Sequence, residues 1–385
     1  NSTTMGKARP KIAFVSTMAG GPWGGSEELW SRTASHLRKA GLDVCMSVYG
    51  WPQRPAQVQA LLDQGVDADF RPLKLPAAKR LLEKFLKRRK PTPIPRASMA
   101  WLENQRPDLV VISQGGPWDG LGWMRACRGL GLKYCPIIHA NSEIWWPVDV
   151  WRDDIAGGLP AAERVFFVSK ANRRLMELQC GFSLENAEIV INPCNVDADR
   201  AVPWPDDSVT RIACVGRVDP QAKGQDLLLQ VLAMPKWRDR PVELNIYGGG
   251  PCLKSLEAMK EMLGLANVRF AGHESDVRKI WSLNHALVLP SRFEGLPLVI
   301  VEAMLCGRPV ITTDIAGNAE YLEEGTTGFI AQAPTAALLD DAMERAWSKR
   351  SDWNAIGFAA RESIVTKLPK DPIETFAKRL MEIAG

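Results

Sequence analysis

Short apolar runs alternate with helix-like patterns along the first half of the chain. Apolar, β-branched runs predict buried strands, and apolar residues spaced at the helical period predict helices between them. The predicted strands are residues 11–17, 43–49, 108–113, 134–139 and 164–169. One intervening helix is capped by Ser26 and ends near Gly41, and another covers residues 170–180. This alternation predicts a parallel sheet with helices on both faces.

The same pattern restarts after residues 202–208, a segment rich in Pro and Asp that is typical of a linker. The predicted strands of the second half are 210–215, 243–247, 268–271, 286–290 and 309–312, and the predicted helices are 225–232, 252–263, 275–282 and 298–305. The chain is therefore expected to form two doubly wound α/β domains of similar size. Ligands of such folds bind at the carboxyl ends of the strands, and two facing domains predict a cleft.

Composition narrows the class of protein without naming a function. The 385 residues are 46% hydrophobic and 24% charged, as in an ordinary soluble protein of two domains. The net charge of +4 is too mild to indicate nucleic-acid binding. Eight Cys without a C-x-x-C pair favour a reducing cytoplasm and argue against a metal site or a disulfide framework. We expect neither a secretory signal nor a spanning helix, because no apolar run reaches about 18 residues.

Residues 292–304 place two carboxylates around a glycine, a proline and an apolar run. Glu294 is predicted on the loop after a strand, and Glu302 one to two turns into the following helix. The backbone between them would then lie at a helix N-terminus, which favours an anion. That backbone belongs to Gly295, Leu296, Pro297 and Leu298. Together these parts indicate a nucleotide-sugar pocket, and the alternative is a capped amphipathic helix with an exposed Glu.

Two further junctions of the second half could bind phosphate. Arg217 follows a strand and Lys223 opens the next helix, so that a guanidinium and an ammonium could clamp a diphosphate. Gly249 and Gly250, within the run 247–251, would let the backbone approach a ligand closely. The alternatives are a solvated basic loop and a tight strand-to-helix turn.

The first half offers a glycine pair and a histidine at predicted strand ends. Gly24 and Gly25 open a helix and could hold phosphate, but their run is not the G-x-G-x-x-G of dinucleotide sites. His139 ends a strand and would face a ligand at that edge. In the second half, His273 follows a strand and could contact a nucleobase. A core or rim histidine bonded to backbone is the alternative for each.

Aromatic and basic residues suggest an acceptor surface and a membrane surface. The chain has 14 Trp, and Trp118, Trp145 and Trp146 lie near His139 in sequence. Their rings could stack on an acceptor sugar, although core packing explains them equally well. Residues 74–96 are strongly basic with apolar residues at helical spacing, which predicts a helix on an anionic membrane surface. A solvated helix is the alternative.

Taken in order, these motifs resemble the family 4 retaining glycosyltransferases of the GT-B fold. Residues 293–304 match the family's E-x7-E signature, Arg217 and Lys223 its phosphate-binding pair, and residues 247–251 its glycine loop. Residues 168–170, 195–197, 309–311, 317–320 and 325–329 match further family segments. The resemblance implies an acceptor-binding Rossmann-like domain at 1–200 and a donor-binding one at 209–368. A C-terminal helix within 369–385 would cross back to the first domain.

The resemblance also implies a role for each motif. Arg217 and Lys223 would hold the donor diphosphate, and Glu302 the ribose hydroxyls. Glu294 and the N–H groups after it would hold the donor sugar, and His139 would lie against that sugar. The remaining donor-side positions are the backbone near His273 for the base, Gly24 and Gly25 for the diphosphate, and the glycine loop with Gly249 and Gly250.

The implied activity is transfer of a sugar from a nucleotide donor to a hydroxyl of a glycan, a lipid-linked saccharide or another acceptor. UDP is favoured as the nucleotide and GDP comes next, with retention at the anomeric carbon and no metal or other cofactor. The leaving phosphate would take the acceptor proton, and His139 and Glu294 are the catalytic candidates. The protein would be cytoplasmic and peripheral to the membrane. A sugar-nucleotide epimerase of the same fold and a non-catalytic nucleotide-sugar-binding protein are the alternatives.

Overall fold

The computed structural model describes residues 9–73, 93–196, 202–205 and 209–385. These residues form two compact units. Unit 1 contains the described residues up to Pro193 together with Pro369–Gly385, and unit 2 contains those from Cys194 to Leu368. The predicted basic segment 74–96 lies outside the described residues, except for its last four positions. Residues 206–208 of the predicted linker also lie outside them.

Unit 1 is built on a seven-stranded parallel sheet of order β3-β2-β1-β4-β5-β6-β7. Its strands are β1 Lys11–Ser16, β2 Asp43–Tyr49, β3 Asp67–Arg71, β4 Leu109–Gln114, β5 Tyr134–Ile138, β6 Val165–Phe167 and β7 Ala187–Ile189. Its helices are α1 Gly25–Lys39, α2 Ala56–Asp63, α3 Arg96–Gln105, α4 Leu121–Leu130, α5 Arg152–Gly158 and α6 Lys170–Cys180, with 3₁₀ turns at Glu143–Trp145 and Asp149–Trp151. The central strands β1 and β4 are buried almost throughout and mostly apolar, as expected for strands covered on both faces.

Unit 2 is built on a six-stranded parallel sheet of order β10-β9-β8-β11-β12-β13. Its strands are β8 Thr210–Val215, β9 Val242–Tyr247, β10 Val268–Gly272, β11 Ala286–Leu289, β12 Val310–Thr313 and β13 Gly328–Ala331. Its helices are α7 Pro220–Lys223, α8 Gln225–Leu232, α9 Pro235–Arg238, α10 Leu253–Met262, α11 Val277–Leu283, α12 Leu298–Leu305, α13 Ala336–Ser348 and α14 Trp353–Lys367, with a 3₁₀ turn at Arg350–Asp352. Trp237 and Trp281 are fully buried between this sheet and its helices.

The last helix, α15 Pro372–Ala384, belongs to unit 1. Pro372 occupies its first position, where the missing N–H costs nothing, and Asp371 caps it by accepting from the Glu374 N–H. The ring of Phe376 packs edge-on against Phe166 of β6 with centroids 5.1 Å apart. Arg379 adds an ion pair with Glu188 of β7, so the end of the chain is fixed to the sheet edge of unit 1.

The alternating pattern of strands and helices is confirmed, with two kinds of difference. The prediction that Ser26 caps the first helix is wrong, because α1 begins at Gly25 with Gly24 in extended conformation at the cap. The Ser26 hydroxyl lies instead near the Met18 sulfur. The short strands β3, β7 and β13 were not predicted, because the first is mostly polar and the others span only 3 and 4 residues.

Candidate functional site

The carboxyl edge of the unit 1 sheet carries a buried histidine. His139 directly follows β5, and its Nε2 lies 3.1 Å from the Ser113 hydroxyl on the neighbouring strand β4. The Ser113 hydroxyl in turn lies 3.3 Å from the carbonyl oxygen of Ser26 in α1. Burial lowers the His139 pKa to about 3, so the ring is neutral at physiological pH. His139 therefore offers hydrogen bonds and carries no charge.

The second ring nitrogen of His139, Nδ1, makes no hydrogen bond within the described part of the chain. Its Nδ1 is buried without a protein partner. The Ser113 hydroxyl can donate only one hydrogen bond. If it donates to the Ser26 carbonyl, it must accept from His139, and Nε2 then carries the ring proton. Nδ1 is then a bare acceptor suited to a hydroxyl. Ser113 and the Ser26 carbonyl were not predicted, since a serine within an apolar strand gives no signal in the sequence.

The N-terminus of α1 holds the glycine pair beside two acidic residues. Gly24 is the cap residue and Gly25 the first residue of the helix, so both lie at the helix N-terminus where the sequence predicts them. Glu27 is buried, accepts hydrogen bonds from Ser16 Oγ and Trp30 Nε1 at 2.9 Å each, and has its pKa raised by burial to about 7. Glu28 accepts from Trp23 Nε1. These carboxyls partly offset the positive end of the helix, which weakens the predicted phosphate site there.

The three predicted acceptor-side tryptophans differ in exposure. Trp118 is buried and its Nε1 donates to the Trp145 carbonyl at 2.7 Å. The structure thus corrects its predicted role, because a buried indole has no free face for a sugar ring. Trp145 is half-buried, and Trp146 is 59% exposed. Of the three, Trp146 alone presents most of its side chain to solvent.

The carboxyl edge of the unit 2 sheet brings together two of the predicted ligand-binding residues. Lys223 ends the single turn α7 after β8, and Glu294 lies on the loop after β11, which pairs with β8. Their side chains form an ion pair in which the Lys223 ammonium donates to Glu294 Oε1. The same oxygen accepts from Ser291 Oγ at 2.8 Å. Both side chains are mostly buried, so solvent screens the pair weakly.

Arg217, the other predicted phosphate ligand, has a different environment. Its guanidinium is about half exposed and lies 2.6 Å from the Asp219 carboxylate. Gln225 Nε2 donates to the Arg217 carbonyl at 2.8 Å and so holds the loop to the start of α8. A diphosphate would have to compete with Asp219 for this cation. Asp219 was missed in the sequence, although it lies two residues from Arg217.

The glycine loop after β9 divides into structural and open positions. Gly248 has φ +126°, and a Cβ there would overlap the Gly216 carbonyl. A Cβ at Gly250 would overlap the Val218 carbonyl, so glycine at both positions permits close packing of two backbone segments. A Cβ at Gly249 would meet no atom within 4 Å. Only Gly249 therefore keeps open space for the predicted ligand approach.

Glu302 is the fifth residue of α12 and is buried, with only 8% of the residue exposed. Its carboxylate accepts a hydrogen bond from the Asn195 backbone N–H, but burial dominates and raises its pKa to about 7. The alternative interpretation, which predicted that this Glu is exposed on an amphipathic helix, is therefore wrong. A buried carboxylate with one backbone donor still has acceptor positions for further hydroxyl donors.

The segment before α12 supplies the remaining predicted backbone. Pro297 caps α12 in extended conformation without a side-chain hydrogen bond, and the Gly295 carbonyl accepts from the Gly317 N–H at 2.8 Å. Leu296 is buried, and Leu298 is the first helical residue. Pro297 has no N–H, so the donors of this segment are those of its three neighbours. His273 is exposed just after β10, at the same carboxyl edge of the sheet.

Two family models match successive parts of the chain. The model of glycosyltransferase family 4 matches residues 23–200, and the model of glycosyl transferases group 1 matches residues 209–349. Together with the ion pair of Lys223 and Glu294 and the buried Glu302, these matches identify the class. The chain belongs to glycosyltransferase family 4, the group 1 glycosyl transferases.

Curated relatives of this chain include two bacterial glycosyltransferases. Alpha-D-kanosaminyltransferase of Streptomyces kanamyceticus is 33% identical over 135 residues, which cover 34% of each chain. The GDP-mannose-dependent alpha-(1-6)-phosphatidylinositol monomannoside mannosyltransferase of Mycolicibacterium smegmatis is 29% identical over 280 residues, 66% of this chain and 71% of the relative. The match thus spans about a third of the first relative.

Solved structures show the same fold over nearly the whole chain. HepE of Anabaena in complex with UDP has a TM-score of 0.71 at 19% identity, covering 97% of this chain and 98% of its own. Sucrose-phosphate synthase from Thermosynechococcus elongatus has a TM-score of 0.72 at 19% identity with the same coverage. The predicted GT-B class, two doubly wound Rossmann-like domains, is confirmed. Within the described ranges, no helix is both long and apolar enough to cross a bilayer.

Proposed function

We propose that the protein transfers a sugar from a nucleotide-sugar donor to the hydroxyl of an acceptor, with unit 2 binding the donor. The observation that carries this proposal is the meeting of Lys223, Glu294 and Ser291 at the carboxyl edge of the unit 2 sheet. An ammonium that is already desolvated attracts a diphosphate strongly, and the carboxylate it pairs with can accept hydrogen bonds from sugar hydroxyls.

Cleavage of the glycosyl–phosphate bond leaves negative charge on the departing diphosphate. Lys223 and Arg217 stabilise that charge, together with the N–H groups at the start of α12, whose cap residue makes no side-chain hydrogen bond. Glu302 accepts from the ribose hydroxyls. We propose retention at the anomeric carbon, with the leaving phosphate taking the acceptor proton on the same face of the sugar, a route that needs no protein nucleophile.

Unit 1 is proposed to bind the acceptor and to supply His139. A neutral imidazole with a buried, unpartnered Nδ1 can accept one hydrogen bond from a sugar hydroxyl. We propose UDP as the preferred nucleotide and GDP as the second choice, with no metal requirement. Support for the nucleotide is divided, because the Anabaena structure contains UDP whereas the mycobacterial relative is named as GDP-mannose-dependent.

A lipid-linked saccharide is the acceptor class we favour. The mycobacterial relative that matches most of this chain is named for a phosphatidylinositol monomannoside acceptor. The test of the donor is calorimetric titration with a panel of UDP- and GDP-sugars in excess chelator, followed by assay of donor hydrolysis. We expect saturable binding and slow hydrolysis of one donor. Absence of binding and hydrolysis across both nucleotide series would contradict the proposal.

A further inference from the structure

Residues 143–151 form an apolar loop that projects four large side chains into solvent. The exposed fractions are 75% for Ile144, 59% for Trp146, 52% for Val148 and 39% for Val150. These residues alternate along the chain with Trp145, Pro147 and Trp151, which are half-buried. Single exposed apolar residues are ordinary, but four within one short loop form a patch of a kind that marks binding surfaces.

The backbone of the apolar loop is fixed although its side chains are exposed. At its start, buried Gln179 donates to the Ser142 carbonyl at 2.9 Å and accepts from Asn141 Nδ2 at 2.7 Å. In its middle, Trp118 Nε1 donates to the Trp145 carbonyl, and near its end the Trp151 N–H donates to the Val148 carbonyl. The loop is thus held with its apolar side chains outward before any partner arrives, which lowers the entropy cost of binding.

The size and position of the patch indicate what covers it. Its exposed apolar area is on the order of 400 Å², about half of what one side of a stable protein–protein interface needs. An indole flanked by aliphatic side chains is typical of residues that enter the interfacial layer of a bilayer. The loop follows His139 along the chain, and its Trp145 carbonyl is bonded to Trp118 of the segment after β4.

We infer that the apolar loop docks unit 1 onto a lipid surface, with Trp146 and Val148 entering the interfacial layer. The inference rests on the proposed function, since it places a lipid-linked acceptor beside the strand ends that carry Ser113 and His139. The exposed charges within the loop and directly after it in the sequence are Glu143, Asp149 and Asp153, with Arg152 opposing them. Because acidic residues predominate, docking through this loop gains nothing from anionic lipid and is insensitive to salt.

The test is co-sedimentation of the full chain with phosphatidylcholine vesicles, in which no net lipid charge attracts other basic parts of the chain. The loop variant replaces Trp146 and Val148 by Ser. The matched control replaces Met262 and Phe358 by Ser, because these unit 2 side chains are 76% and 61% exposed. We expect the loop variant to lose about tenfold or more in vesicle partitioning, and the control to stay within about twofold. Added salt should leave wild-type partitioning unchanged.

Several outcomes would overturn the inference. One is wild-type protein that stays in the supernatant at all lipid concentrations, and another is a loop variant that partitions like wild type. A third is a wild-type dimer in sedimentation velocity that the loop variant abolishes, which would assign the patch to a second copy of the chain.

Nucleotide-sugar titration of the same variants separates a failure of the lipid-docking inference from a failure of the proposed function. Loss of lipid binding with unchanged donor affinity supports the inference, whereas lipid binding without any donor binding retains the docking surface and contradicts the proposed nucleotide-sugar donors.

Discussion

The Lys223 ammonium and the Glu294 carboxylate, 71 positions apart in the chain, form an ion pair at the carboxyl edge of the unit 2 sheet. The pair is largely buried, so each charge stabilises the other more than an exposed pair would. A donor that places its diphosphate on Lys223 and its sugar on Glu294 exchanges this internal pairing for contacts with the substrate. The two residues should therefore respond differently to substitution.

Substitution of Lys223 by Met should weaken binding of the nucleoside diphosphate itself. The change removes the desolvated cation but keeps the apolar stem, and a lost charge-assisted contact costs roughly 10–100-fold in Kd. Calorimetric titration with UDP and GDP measures this effect. Lys279, which is exposed and paired with Glu274, supplies the control Lys279→Met with unchanged affinity. Equal losses in both variants would argue for a general charge effect.

Substitution of Glu294 by Gln should leave nucleoside diphosphate affinity within a few-fold and reduce turnover of the nucleotide-sugar. The amide keeps the shape and can still accept from Ser291, but it no longer neutralises Lys223. Donor hydrolysis and diphosphate titration on the same preparation separate the two effects. A variant with wild-type turnover would remove Glu294 from the sugar site.

Much of the unit 2 site could be predicted from the sequence, because strand ends and helix starts are punctuated by Gly and Pro. The residues 210–215, 225–232 and 298–305 were bounded correctly, and a parallel sheet brings the loops that follow its strands to one edge. What could not be predicted is which side chains meet within that edge. The ion pair of Lys223 with Glu294 depends on β8 and β11 being neighbours, which the order of strands in the chain does not reveal.

Burial was equally hard to predict, and it decides the chemistry of single residues. The sequence predicts the same acceptor-side role for Trp118 and Trp146, yet one is buried and the other is exposed. Glu302 gave no signal of its raised pKa, since the helical pattern of α12 is apolar nearly all round and does not show which face is covered. Ser113 contacts His139 through its hydroxyl, and Asn195 contacts Glu302 through its backbone N–H. Neither group is distinctive in a sequence, so neither contact could be predicted.

The glycine loop gives a matched series for stability against binding. Gly248→Ala and Gly250→Ala should destabilise unit 2 by about 2 kcal/mol or more, because each Cβ meets a carbonyl group and Gly248 also has φ +126°. Gly249→Ala should leave the free energy of unfolding within about 0.5 kcal/mol and weaken donor binding, since its open space is where a ligand would come. Chemical denaturation and donor titration measure the two quantities. A stable Gly250→Ala protein would contradict the packing described for this loop.

The pKa of Glu302 predicts a dependence of both stability and binding on pH. Its folded pKa of about 7 lies above the usual 4.5, so the folded protein holds this proton more firmly than the unfolded chain. Protonated Glu302 therefore adds about 3 kcal/mol to the free energy of unfolding below pH 4.5. This contribution is lost as the pH rises through about 7. Glu302→Gln should remove this slope from the unfolding free energy of unit 2.

Nucleotide affinity should change with pH in the opposite direction. Ribose hydroxyls donate best to the ionised carboxylate, so the affinity for a nucleotide-sugar, whose diphosphate keeps the same charge from pH 6 to pH 8, should rise over this range in the wild type and stay flat in Glu302→Gln. Glu243→Gln is the control, because Glu243 lies near the start of β9, away from the carboxyl edge of the sheet, pairs with Arg211 and is assigned no role with the nucleotide. A wild-type affinity independent of pH would contradict the ribose assignment.

The His139 imidazole is predicted to act as a neutral hydrogen-bonding group that Ser113 orients. His139→Ala should reduce sugar transfer by about two orders of magnitude while leaving nucleoside diphosphate affinity nearly intact, because the residue belongs to unit 1. Since its pKa is about 3, no ionisation of His139 should appear in the pH–rate profile between pH 5 and 9.

Ser113→Ala should raise the KM for the donor sugar or lower kcat several-fold without changing stability by more than about 1 kcal/mol, and Ser113→Thr, which keeps the hydroxyl, should restore most of the loss. A purely structural role would instead give equal losses for Ala and Thr, and a bell-shaped profile that disappears in His139→Ala would show that the ring carries charge during turnover.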